Sequence, residues 1–63
     1  MGQRLVNLYA FAEKNGGLLI KMRIAMRTGV PSSKAAEAPD SEDLIAKAKL
    51  AIKEATGKDA PAV

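Results

Sequence analysis

The chain has no cysteine, no histidine and no tryptophan, and only one tyrosine and one phenylalanine among its 63 residues. Without cysteine there is no disulfide and no thiolate metal site. Without histidine the commonest general base near neutral pH and the commonest zinc ligand are gone. Long apolar runs are scarce as well. Leu18-Leu19-Ile20 is interrupted by Lys21, then by Arg23 and Arg27, far short of the ~20 residues that span a bilayer. No clean apolar run follows Arg4, so the N-terminus does not read as a signal peptide. The cysteine-free composition fits a reducing compartment, which makes the cytoplasm the expected location.

A chain this short accommodates one domain, expected over residues 1–57 with 58–63 as a flexible tail. Such a domain buries only about 60% of the surface its unfolded chain exposes and often relies on a staple or a partner. The net charge of +3 is unevenly spread. Up to residue 34, Arg4, Lys14, Lys21, Arg23, Arg27 and Lys34 stand against Glu13 alone, a net +5. From residue 35 on, Lys47, Lys49, Lys53 and Lys58 stand against Glu37, Asp40, Glu42, Asp43, Glu54 and Asp59, a net −2. A basic half of this kind attracts phosphate, an acidic protein surface, or the acidic half of a second copy.

Periodicity predicts an all-α module of three segments, at about 3–14, 18–28 and 41–56. In the first, Leu5, Leu8, Tyr9 and Ala12 follow the i, i+3, i+4, i+7 pattern, and Asn15-Gly16-Gly17 ends it. The second reads two ways. Ile20, Met22, Ile24 and Met26 alternate with Lys21, Arg23, Ala25 and Arg27, the period of a half-buried strand. Yet Leu, Met, Ala, Lys and Arg all favour helix. Helix is the expectation, with strand as the alternative, and the helix has to be buried nearly all round. Thr28 to Ser33 is a turn, and the residues from Lys34 to Ala38 form one further helical turn before Pro39. The third segment begins with Asp40 or Ser41 as cap and Glu42 and Asp43 in its first turn. Leu44, Ile45, Ala48, Ala51, Ile52 and Ala55 form one face, and Gly57 ends it.

Large apolar residues crowd the first half, and one slim, alanine-rich helix cannot cover them. The remainder forms an exposed patch, and such patches mark interfaces. Leu5, Leu8, Tyr9, Phe11, Leu19, Met22 and Met26 are the expected protein interface, with the chain pairing with itself as a homodimer or with another protein.

Catalysis has little support. Asp40, Glu42 and Asp43 make a carboxylate cluster, but their place at a helix start explains them as capping residues. Ser32 and Ser33 have no histidine to activate them. The glycines lack the spacing of a phosphate loop. Neither a cofactor, a metal nor a small-molecule substrate is implied, and no enzyme is expected. The stretch 20–38 does resemble the centre of a helix-turn-helix. Ala25, Gly29 and Val30 fall where that motif places its small residue, its turn glycine and the apolar residue after it. On that reading the protein binds duplex DNA, with Arg23, Arg27, Ser32, Ser33 and Lys34 on phosphates or base edges. Ala35 and Ala38 stand where larger branched residues normally anchor the recognition helix, and Pro39 cuts it short. The favoured function is therefore a non-catalytic interaction and self-association module working through the apolar surface of residues 5–30. DNA binding is the alternative.

Overall fold

A computed structural model describes residues 3–60. The chain forms helix α1 (Gln3–Asn15), helix α2 (Leu18–Thr28), a short 3-10 helix (Ser32–Glu37) and helix α3 (Glu42–Thr56). No strand occurs among the described residues. The three α-helices follow the segments expected from periodicity, and 18–28 takes the helical alternative rather than the strand.

Each boundary has a local cause. Past Asn15, the N–H groups of Gly16 and Gly17 both donate to the Ala12 carbonyl, at 3.0 and 2.8 Å. Gly17 then adopts φ 75°, ψ −143°, a combination open only to a residue without a side chain. The chain reverses there within two residues. α2 closes on Gly29, left-handed at φ 75°, whose N–H donates to the Ala25 carbonyl at 2.8 Å. The Thr28 hydroxyl donates to the Ile24 carbonyl at 2.8 Å and accepts from the Val30 N–H at 3.2 Å. Pro31 introduces the 3-10 helix, and Pro39, which has no N–H to give, prevents its extension. α3 stops at Gly57, whose N–H donates to the Lys53 carbonyl at 2.7 Å.

The core collects one face of each element. α1 contributes Leu5, Leu8, Tyr9 and Ala12; α2 contributes Ile20 and Ile24; α3 contributes Ile45, Ala48, Ala51 and Ile52. Ala35 and Ala38 close the remaining side, and Val6, Phe11, Val30 and Leu44 pack around the margin. α2 lies chiefly against α3, while α1 packs against α2, α3 and the 3-10 helix. The alanines of α3 allow its backbone to approach the neighbouring helices closely, so a slim helix can seal a core built from longer side chains.

Two expectations need correction, and the connecting and terminal segments add contacts of their own. α2 is not buried nearly all round: only Ile20 and Ile24, one turn apart, face the core. Ser41, just before α3, makes no side-chain cap hydrogen bond, and Asp40 instead accepts from Arg4 Nε at 2.7 Å. The segment after Thr28 is a packing element in its own right, since Ala35 and Ala38 are buried. The expected tail also begins in contact with the fold. Ala60 packs against the core, and Asp59 meets Lys53 at 3.2 Å. The rest of that tail, residues 61–63, and residues 1–2 of the expected domain lie outside the described residues.

Candidate functional site

The outer face of α2 gathers what the core leaves out. A helix turns about 100° per residue, so residues two apart stand on nearly opposite sides. The alternation Ile20, Met22, Ile24, Met26 therefore sends both isoleucines inward and both methionines outward. Met22 is 52% and Met26 81% exposed, while Ile24 is fully buried. Leu18 and Leu19 join the methionines at 68% and 70% exposure. Leu18, Met22 and Met26 lie at i, i+4 and i+8, one stripe along an 11-residue helix.

The stripe is bordered by cations. On the α1 side, Lys21 meets Glu13 at 2.5 Å. On the α3 side, Arg27 meets Glu54 at 2.5 Å. Arg23 is exposed and has no carboxylate partner among the described residues. Two shallow hollows flank the stripe. Leu18, Met22 and Ala25 share one with Pro31 and Ser32. Leu19 shares the other with Phe11, Ala55 and Lys58.

The expected interface residues divide. Leu19, Met22 and Met26 lie on this face, and Phe11 borders it half-buried. Leu5, Leu8 and Tyr9 do not belong to any surface: they are 1%, 0% and 5% exposed. Their apolar stripe is covered by α2, α3 and the 3-10 segment, where Ala35 and, just past the helix, Ala38 supply cover beyond that of α3. Leu18 adds to this face beyond the expected residues, in an i, i+4, i+8 relation to the two methionines that is visible in the chain. Leu50 is also exposed, on the outer side of α3.

The expected DNA-contacting residues do not form one surface. Ser32, Ser33 and Lys34 are exposed at the start of the 3-10 helix. Ser32 borders the Leu18–Met22–Ala25 flank of α2, whereas Arg23 and Arg27 point to the opposite flank, where Arg27 is held by Glu54. The segment in the place of a recognition helix is six residues of 3-10 helix, about 12 Å long at a rise of about 2 Å per residue.

The carboxylates at the α3 start serve the fold. Arg4 spans Asp40 at 2.7 Å and Glu42 at 2.8 Å. Hydrogen bonding to Asp40, then to Glu42, holds its guanidinium even more firmly protonated than usual. Asp43 meets Lys47 one turn on, at 3.1 Å. The Tyr9 hydroxyl donates to the Val30 carbonyl at 2.5 Å. Burial raises its pKa above the ordinary 10.0, with a hydrogen bond to Thr28 pulling the other way.

No protein-family model matches this chain, and no curated protein or solved structure is similar to it. No helix among the described residues is long and apolar enough to cross a membrane.

Proposed function

We propose that this protein is a non-catalytic interaction module that docks the outer face of α2 onto a protein surface, that of a second copy or of another chain, in the cytoplasm. The observation that carries the reading is the division of α2. Its isoleucines complete the core, and Leu18, Leu19, Met22 and Met26 remain in water on the other side. Fully burying one such side chain is worth about 1.5–3 kcal/mol, so a few together offset part of the cost of association. Methionine suits the task, being unbranched, polarisable and able to reshape to a partner. The carboxylates near the α3 start are tied up with Arg4 and Lys47, which supports a role without catalysis.

The test pairs surface variants with two binding measurements. Self-association is followed by sedimentation equilibrium, and heterotypic docking by fluorescence anisotropy of synthetic helical peptides bearing a leucine stripe. Leu19→Asp and Met26→Asp are expected to retain the helical circular dichroism and thermal transition and to lose whichever association the parent shows. Lys47→Ala, which removes only the Asp43 partner within α3, is expected to change neither. A parent that stays monomeric and binds no peptide would sink the reading, as would Asp variants that associate normally. A salt-sensitive shift on duplex DNA, flattened by Arg23→Ala and Lys34→Ala and untouched by Leu19→Asp, would establish the DNA alternative in its place.

A further inference from the structure

The charges around the stripe discriminate between partners. We propose that the outer face of α2 takes an amphipathic helix of another protein whose apolar stripe is flanked by aspartate and glutamate, rather than a second copy of this chain. The inference rests on the docking reading given above and specifies the partner.

The argument begins with what α2 carries: Lys21, Arg23 and Arg27, and no carboxylate. Pairing α2 with its own copy places these residues opposite one another. In an antiparallel pair each flank meets its twin, so Arg23 faces Arg23. In a parallel pair the Arg23 flank meets the Lys21 flank. The antiparallel pair opposes two Arg23 side chains, each unpaired among the described residues, and like charges across a contact repel; the parallel pair sets Arg23 against a Lys21 that Glu13 already holds. Glu13 and Glu54 are engaged with Lys21 and Arg27 within the chain, so neither offers a free carboxylate to the Arg23 of a second copy. Among the described residues Arg23 is the one α2 cation without a carboxylate, and Lys58 adds a second cation at the Leu19 end of the stripe. The Lys58 backbone is held by the Thr56 hydroxyl, which accepts its N–H at 3.1 Å.

Size sets the strength of the contact. A stable protein–protein interface of standard size covers about 800 Å² per partner, roughly a fifth of the 3939 Å² surface here. The outer face of one 11-residue helix offers less. It does match a partner helix of similar length, since 11 residues extend about 16 Å. So small a contact gains specificity from charge and weakens with salt.

Two synthetic peptides of identical leucine stripe test this, one flanked by glutamate and the other by lysine. Fluorescence anisotropy against the full chain should show the glutamate peptide binding at least roughly ten-fold more tightly. Added salt should shrink that difference, and Arg23→Glu should abolish or invert it. Three results would overturn the proposal. One is equal affinity for both peptides. Another is sedimentation equilibrium showing a dimer, abolished by Met26→Asp, at concentrations below those at which the glutamate peptide binds. The third is co-sedimentation with phosphatidylglycerol vesicles that is lost in Leu19→Asp and competes with the peptide. Met22→Asp and Met26→Asp separate the two levels. If both bind the glutamate peptide as the parent does, the docking reading itself is wrong. If both lose binding while the parent ignores peptide charge, only the choice of partner is wrong. Each variant is checked for its thermal transition first, and both positions lie in solvent.

Discussion

Tyr9 is a single residue whose hydroxyl reports the state of the fold. It sits among core side chains and donates to the Val30 carbonyl just beyond α2, fastening α1 to the turn. Tyr9→Phe removes that bond and is expected to lower stability by about 0.5–1.5 kcal/mol in urea unfolding. The chain has no other tyrosine and no tryptophan, so ultraviolet absorbance follows this phenol alone. Burial raises its pKa above 10.0, meaning that the fold favours the neutral form. The phenol's contribution is fully present below the ordinary value and is lost as pH rises through the higher folded one. An absorbance titration of the folded chain should therefore lie alkaline of the same titration in urea. The glycines give a second test at this scale. Gly29 is left-handed with open space where a Cβ would stand, so Gly29→Ala costs about 1–2 kcal/mol through the backbone alone, and Gly29→Asn costs less. At Gly16 the backbone is ordinary, but an added Cβ would overlap the Ile20 side chain. The cost there is one of space.

At the scale of the element, α2 carries two opposed requirements. Its inner side is narrow, with only Ile20 and Ile24 buried. Ile24→Ala should cost about 2–5 kcal/mol, because the site is fully enclosed and collapses incompletely. Met26→Gln should change stability by no more than about 0.5 kcal/mol, because the side chain already lies in water. Urea unfolding of the two variants would measure the asymmetry directly. Near-equal losses would mean that the outer face is covered in solution. Alternation of apolar and polar residues reads as a strand when one face is buried and the other solvated. Here the same alternation sits on a helix, with one apolar set in the core and the other in solvent. Nothing in composition distinguishes those sets. Isoleucine goes inward and methionine outward because the packing of α2 against α3 and α1 sets its rotation.

At the scale of the whole molecule, Arg4 joins the start of α1 to the approach to α3 through Asp40 and Glu42. The partners are far apart in sequence, so the cluster adds to tertiary closure rather than to any one helix. Replacing Arg4 with Gln should lower the thermal midpoint. The loss should shrink as salt is raised, since exposed pairs are screened. No shrinkage would mean that packing of the Arg4 stem, not its charge, supports the closure. Close packing of α3 gives the opposite sign of test. Ala48 is fully buried, and Ala48→Leu should destabilise the chain by about 1–3 kcal/mol through overpacking, read from the urea midpoint.

Local chemistry in the sequence determined the elements. Leu5, Leu8, Tyr9 and Ala12 mark one face of α1 by spacing alone, and glycines mark the helix ends, because caps and periodicity act within a turn or two of the chain. The excess of apolar residues in the first half also shows that some stay uncovered. Which ones was decided by the tertiary structure. Leu5, Leu8 and Tyr9 are candidates for a surface until Ala35, Ala38 and α3 are laid over them, and the spacing of Leu18 with Met22 and Met26 does not say whether that stripe faces the core or solvent until α2 is packed. Arg23 and Arg27 look equivalent along the chain, yet only Arg27 finds Glu54, 27 residues away. Burial and charge pairing depend on which faces meet, and that is fixed by packing between segments rather than by the order of residues within one.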